Sequence, residues 1–192
     1  MAKLYFYYAS MNAGKSTQLL QSAFNYAERG MRTMLFTAAV HDRAGHGQID
    51  SRIGLKAEAF PFDAATDLHE EIAIGTETGA IGCVLIDEAQ FLTRAQVLQL
   101  ARVCDEIDVP VLCYGLRTDF RAELFEGSAA LLGLADVLQE IKTICACGRK
   151  ATMNLRVDDY GDAVTTGAQT EIGGNDRYVA LCRRHYMERM RA

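Results

Sequence analysis

Three groups of residues in this 192-residue sequence could do chemistry. The first is Ala9-Ser10-Met11-Asn12-Ala13-Gly14-Lys15-Ser16, which follows an apolar run and opens an amphipathic one. It fits the phosphate-loop pattern G-x-x-x-x-G-K-[ST] at every fixed position except the first, where alanine stands for glycine. Backbone N–H groups of such a loop and the helix N-terminus behind it face the phosphates of a nucleoside triphosphate. Gly14 lets the backbone come close, Lys15 reaches the β- and γ-phosphates, and the Ser16 hydroxyl coordinates Mg²⁺. Alanine suits position 9 provided that φ there is negative. The second group is Asp87-Glu88 at the end of the apolar run from Cys83. Asp87 stands where a phosphate-loop enzyme needs an acid for Mg²⁺. Glu88, pointing the other way, is free to accept a proton from an attacking hydroxyl. The third group is Cys145 and Cys147 with Cys182 and His185, three thiolates and an imidazole that make a full tetrahedral set for structural Zn²⁺. Cys145-x-Cys147 is one residue tighter than the usual spacing, and Gly148 suits the sharp turn that follows. Each group has a plainer alternative: a chance glycine-lysine-serine turn, an acidic pair capping the next segment, or buried thiols beside a surface histidine.

Chemistry at these positions needs a frame. Leu4–Tyr8, Thr33–Thr37, Cys83–Ile86 and Val109–Tyr114 are apolar, β-branched or aromatic runs of strand length, and Val137–Ile144 could be a last strand. Between them, 16–29, 64–74, 95–106 and 122–134 read as helices, with Gly30 as a C-terminal cap. Alternation of this kind predicts an α/β fold with a mostly parallel sheet covered on both faces. Beyond about residue 145 the chain turns polar and glycine-rich, with turn signals at Asp158–Asp162 and 173–176. A segment with so little core needs another source of stability, and zinc would supply it. The reading is therefore a phosphate-loop domain over 1–142 and a small zinc-binding domain over 143–192, whose long turn-rich loop is a reasonable lid for a site that must stay dry.

Composition narrows the classes further. A formal net charge of -5 opposes a dedicated nucleic-acid face, and Arg183, Arg184, Arg189 and Arg191 read as a solvated basic end. The apolar run after Lys3 is too short for a secretory signal, and no stretch is long enough to span a bilayer, so a cytoplasmic location with no membrane partner is expected. In a reducing compartment the six cysteines form no disulfide framework. Cys83, Cys104 and Cys113 lie in apolar runs and read as core residues, while His41, His46 and His69 read as surface residues.

The loop, the run Ile86-Asp87-Glu88-Ala89-Gln90-Phe91, the cysteine–histidine set, and Ile172-Gly173-Gly174 with Tyr178 occur in an order and spacing that resembles the type II thymidine kinases, most of all the bacterial ones. The resemblance spans Lys3 to Tyr186. It implies a RecA-like sheet domain plus a zinc domain carrying a lasso loop between Cys147 and Cys182. It implies transfer of the ATP γ-phosphate to the 5′-hydroxyl of thymidine, and of deoxyuridine, with Glu88 as general base. Nucleotide-binding positions would be Ala9 to Ser16 and Asp87, Glu88, Ala89 and Gln90, with Asp87 and Ser16 at Mg²⁺. The thymidine pocket would take Met11, Phe91, Leu116 and Phe120, then Gln169, Thr170, Glu171, Ile172 and Gly173 of the lasso, closed by Tyr178. The family also implies a homotetramer and feedback inhibition by thymidine triphosphate. For Phe91 and Phe120 plain core packing is the competing reading. Two further readings stay open on residues alone: a phosphate-loop kinase for another nucleoside or nucleotide, and a nucleotide-gated zinc module that binds DNA or RNA.

Overall fold

Six strands lie side by side in the order β5-β2-β6-β7-β1-β8, and every neighbouring pair is parallel. They are β1 (Leu4–Ala9), β2 (Arg32–Ala38), β5 (Phe60–Phe62), β6 (Ile81–Ile86), β7 (Val111–Leu116) and β8 (Val137–Glu140). The computed structural model describes residues 1–41, 47–170 and 177–191. Helices α1 (Lys15–Glu28), α2 (Leu68–Glu77), α3 (Arg94–Arg102) and α4 (Glu126–Leu134) cover this sheet. A short hairpin of β3 (Gln48–Asp50) and β4 (Lys56–Glu58) follows β2.

Strand residues alternate between two apolar layers, which explains the unbroken hydrophobic runs. Leu4, Phe6, Phe36, Val84, Ile86, Val111 and Cys113 face one layer, closed by Leu68 and Ile72 of α2, Val97 and Leu100 of α3 and Leu131 of α4. Leu35, Cys83, Leu85, Leu112 and Tyr114 face the other, closed by Leu19 and Leu20 of α1 and by Ile49 of the hairpin. Cys83, Cys104 and Cys113 are buried in these layers, as expected of small core residues, and burial pushes the Cys83 thiol up to about 12.

Several boundaries differ from the sequence reading, each for a local reason. Helix α2 starts at Leu68 because Asp67 caps it, accepting from the Glu70 N–H at 3.0 Å, while residues 63–66 form a turn closed on the Asp63 carboxylate. Helix α4 starts at Glu126, because Asp119 holds 119–123 in a turn by accepting from the N–H groups of Arg121 and Glu123, with Ala122 at φ 67. After α3 the backbone widens into a π-helical turn over Val103–Ile107 that ends at Asp108, φ 58. The run 137–144 is two strands: β8 ends at Glu140, and β9 (Thr143–Ile144) pairs with β10 (Lys150–Ala151) in a separate hairpin.

From β9 onward the chain builds a third apolar cluster of its own. Antiparallel β11 (Met153–Arg156) and β12 (Tyr178–Leu181), with α5 (Arg183–Arg189), bury Met153, Leu155, Leu181 and Tyr186 together with Cys145 and Cys182. His46, the 173–176 turn signal and the lasso positions Glu171, Ile172 and Gly173 lie outside the described residues. Among the described residues no helix is long and apolar enough to cross a membrane.

Candidate active site

The phosphate loop leaves the sheet at the C-terminal end of β1, beside β7, where a parallel α/β sheet opens its crevice. Ala9 is still strand: it pairs with Leu116 and is not among the residues with positive φ, so an alanine side chain meets no backbone strain there. The loop turns instead at Asn12, φ 62, and at Gly14, φ 82, the N-cap of α1. No side chain caps α1 and its first turn holds no acid, so its N–H groups are left to face the site. Lys15 is buried and donates from Nζ to the Ser10 carbonyl at 3.3 Å. Burial lowers its pKa; the charges of Glu88 and Asp87 oppose that shift, and the charge of Arg52 adds to it.

Asp87 follows the last residue of β6 and is fixed by its own N–H, which donates to the Phe36 carbonyl of β2 at 2.8 Å. Ser16 Oγ donates to Asp87 Oδ2 at 2.9 Å. The second carboxylate oxygen, Oδ1, is buried and has no hydrogen-bond partner among the described residues. Burial raises the Asp87 pKa to about 7, helped by the neighbouring Glu88 charge and opposed by the Ser16 hydrogen bond and Lys15. An orphaned buried carboxylate oxygen beside a serine hydroxyl is a hard-oxygen pair that suits Mg²⁺. Glu88 lies beyond the end of β6, and its left-handed φ of 53 turns it out of the strand line and onto the cavity wall. Gln90, itself buried, donates from Nε2 to Glu88 Oε2 and accepts from the Leu116 N–H at Oε1, 2.9 Å. One amide thus ties Glu88 to the end of β7.

Lys15, Ser16, Glu88 and Gln90 border one cavity of about 320 Å³, while Asp87 is buried behind Ser16 and does not line it. Met11 to Ser16 line its floor; Glu88, Gln90, Phe91 and Leu116 form a wall; Gln169, Thr170 and Tyr178 complete it from the lasso side. Some residues expected at the site stand behind this surface. Ala9 and Ser10 are buried under the loop, and Ala89 is wholly enclosed in the sheet core. Phe120 is also buried: the Arg156 guanidinium covers its ring at 3.8 Å, and its carbonyl accepts from the Tyr186 hydroxyl at 2.7 Å. It supports the pocket instead of lining it, because the Asp119 turn draws it toward the third cluster. The structure adds lining residues the sequence did not disclose: Thr17, the hairpin residues Asp50, Ser51, Arg52 and Ile53, then Asp119, Phe125 and Asn154. Phe125 meets Phe91 edge-on at 5.9 Å. Asn154 is buried and bridges two elements, accepting from the Met11 N–H at 2.7 Å and donating to the Thr118 carbonyl at 3.0 Å. Thr17 follows directly from the loop, but no motif marked the hairpin residues or Asn154; only the long-range packing of β3–β4 and β11 brings those in.

The cysteine–histidine set is assembled as its spacing suggested. The ligand atoms of Cys145, Cys147, Cys182 and His185 all lie within 4.8 Å of one another. Cys147 Sγ and Cys182 Sγ are 3.8 Å apart, and Cys145 Sγ is 3.3 Å from His185 Nδ1. Two sulfurs on a tetrahedral Zn²⁺ with Zn–S bonds of about 2.3 Å would be about 3.8 Å apart, so the spacing fits. Gly148, φ 79, makes the turn of this knuckle. Backbone N–H groups of Cys147 and Cys182, aided by His185, lower the Cys145 pKa to about 6, which favours the thiolate a metal needs.

The family model described as thymidine kinase matches residues 2–186. A thymidine kinase of Novosphingobium aromaticivorans is 70% identical over 190 residues, covering 99% of both chains. The thymidine kinase of Zymomonas mobilis is 62% identical over 190 residues, 99% of this chain and 98% of its own. That of Vibrio cholerae is 61% identical over 188 residues, 98% of each.

Proposed function

This chain belongs to the thymidine kinase family, and we propose that it transfers the γ-phosphate of ATP to the 5′-hydroxyl of thymidine, with deoxyuridine as a second acceptor. The observation that carries the reading is the placement of Glu88 on the wall of the phosphate-loop cavity, aligned by Gln90. In this reading Glu88 accepts the 5′-hydroxyl proton as the oxygen attacks the γ-phosphorus. The new O–P bond forms as the bond between γ-phosphorus and its bridging oxygen breaks, and ADP leaves. The α1 N-terminus, the loop N–H groups and Lys15 bind the phosphates and hold them in line. Ser16 and Asp87 would hold Mg²⁺, which neutralises phosphate charge when bound. Phe91, Phe125, Leu116 and Met11 offer the apolar and aromatic faces that a flat pyrimidine base favours.

Cys145, Cys147, Cys182 and His185 would hold a structural zinc, stabilising a domain over 143–192 distinct from the nucleotide domain over 1–142. Gln169 to Gly173 and Tyr178 would then close over the base as a lid. Nucleotide salvage for DNA synthesis in the cytoplasm, a homotetramer, and feedback inhibition by thymidine triphosphate complete the proposal, in keeping with the family. The deciding experiment is ADP formation from Mg-ATP over the common deoxynucleosides, with and without thymidine triphosphate. Thymidine-dependent turnover, suppressed by the triphosphate, is expected. Turnover on thymidylate but not on thymidine would overturn the acceptor assignment.

A further inference from the structure

The β3–β4 hairpin contributes Asp50, Ser51, Arg52 and Ile53 to the cavity wall, and the reaction described above uses none of them. The hairpin is well braced. Ile49 is buried in the α1-side core against Ala57 and Ala59. Its turn is closed by Ser51 N–H to the Leu55 carbonyl at 2.8 Å, Gly54 N–H to the Ser51 carbonyl at 3.0 Å, and Leu55 N–H to Ser51 Oγ at 2.8 Å. Gly54, φ 87, makes the left-handed step this closure requires. The nearest acid in sequence, Asp50, is paired with Lys56 at 3.4 Å. Among the described residues no carboxylate lies within ion-pairing distance of Arg52. Arg52 is thus presented by a fixed turn to the cavity that Lys15 also lines. Two cations bordering one concave site, above a helix N-terminus, repel each other until a polyanion lies between them.

We propose that Arg52 is a phosphate-binding residue of this site, its guanidinium closing on the β/γ end of the bound ATP from the hairpin side, opposite Lys15. The inference rests on the kinase reading and deepens it. A guanidinium offers paired N–H donors that match two non-bridging phosphate oxygens, whereas a lysine acts as a point charge. Arg52 therefore supplies an orientation that Lys15 alone does not.

The test uses the full chain with its zinc, comparing Arg52→Gln and Arg52→Lys with the parent. ATP binding in the presence of Mg²⁺ and without any nucleoside is measured by calorimetry, followed by steady-state kinetics. Arg52→Gln should weaken ATP binding by at least about tenfold, the usual loss for a charged hydrogen bond. The thymidine KM, melting temperature and zinc content should stay at parental values. The difference from the parent should shrink as salt is raised, and Arg52→Lys should recover part of the affinity. Parental ATP affinity and turnover in Arg52→Gln would overturn the proposal, as would equal losses of ATP and thymidine binding. A parent that binds ATP yet phosphorylates no nucleoside would sink the kinase reading, while the binding comparison would still decide the role of Arg52.

Discussion

Glu88 and Asp87 are chain neighbours with opposite environments, and that contrast is where the residue scale does its work. Asp87 is buried against Ser16, and Glu88 is turned onto the cavity wall by a left-handed backbone. Glu88→Gln keeps the shape and removes the proton acceptor. Turnover should fall by about 10²–10⁴-fold with ATP affinity unchanged, read by steady-state kinetics beside direct ATP binding. Near-normal turnover would remove Glu88 as the base. Asp87 supports a pH prediction. Its folded pKa, about 7, stands above the unfolded value of ~3.9. Between those values the folded chain holds a proton that the unfolded chain has lost, so Asp87 stabilises the metal-free protein fully below ~3.9 and loses that contribution as pH rises through about 7. Melting curves of the nucleotide- and Mg²⁺-free protein from pH 5 to 8 should show this decline, and Asp87→Asn should flatten it. A parent whose Asp87-dependent stability rises over that window would contradict the assignment.

At the scale of elements, the site depends on close approaches between pieces far apart in the chain. Gly127 in α4 lies so near the turn that carries Gln90 and Phe91 that a Cβ there would sit 2.6 Å from the Ala89 carbonyl oxygen and 2.7 Å from that of Leu92. Gly127→Ala must therefore displace that turn, with a cost of about 1–3 kcal/mol by chemical denaturation. Because Gln90 aligns Glu88, turnover should drop as well. Unchanged stability in this variant would show that α4 and the turn pack more loosely than described. Asn154 plays a comparable part from β11, holding the Met11 N–H and the Thr118 carbonyl at once. Asn154→Leu leaves the Met11 N–H and the buried Thr118 carbonyl without that partner. It should cost about 1–3 kcal/mol and loosen both the phosphate loop and the pocket wall, seen as raised KM for ATP and thymidine together. An effect on stability alone would leave Asn154 as a packing residue.

At the scale of the molecule, three apolar clusters among the described residues divide the labour. Two sandwich the parallel sheet, and the third joins β9–β12 and α5 around the cysteine–histidine set. The third is small and includes two of the proposed zinc ligands, Cys145 and Cys182, so it would have little apolar burial to spare without a metal. Elemental analysis should give about one zinc per chain. Chelation, or Cys182→Ser, should lower the melting temperature and weaken thymidine binding more than ATP binding, because Gln169, Thr170 and Tyr178 of β12 line the cavity and would cover the base in the proposed function. Full thermal stability in a metal-free, active sample would exclude a structural zinc.

Short-range patterns were legible from the amino-acid order. Apolar runs broken by amphipathic ones specify a parallel α/β sheet, since strands covered on both faces need no polar alternation. Glycine-lysine-serine after such a strand, an acidic pair after another, and cysteine–histidine spacings at two ends of a polar segment are each patterns of residues close in sequence, whereas bringing Ser16 to Asp87 and Cys145 to His185 takes the fold. The alanine at position 9 needed the backbone to explain it: β1 runs one residue further than its apolar run, so no left-handed turn falls there. Tertiary packing alone decided which aromatic faces the cavity, because Phe91 and Phe120 carry the same signal and only the Arg156 cover and the Asp119 turn bury the latter. It alone brought Arg52 and Asn154 to the phosphate loop, across dozens of residues and through a hairpin and a strand whose own sequences mention neither phosphate nor nucleoside. Such contacts follow from shape and burial summed over the whole chain, and no window of neighbouring residues contains that sum.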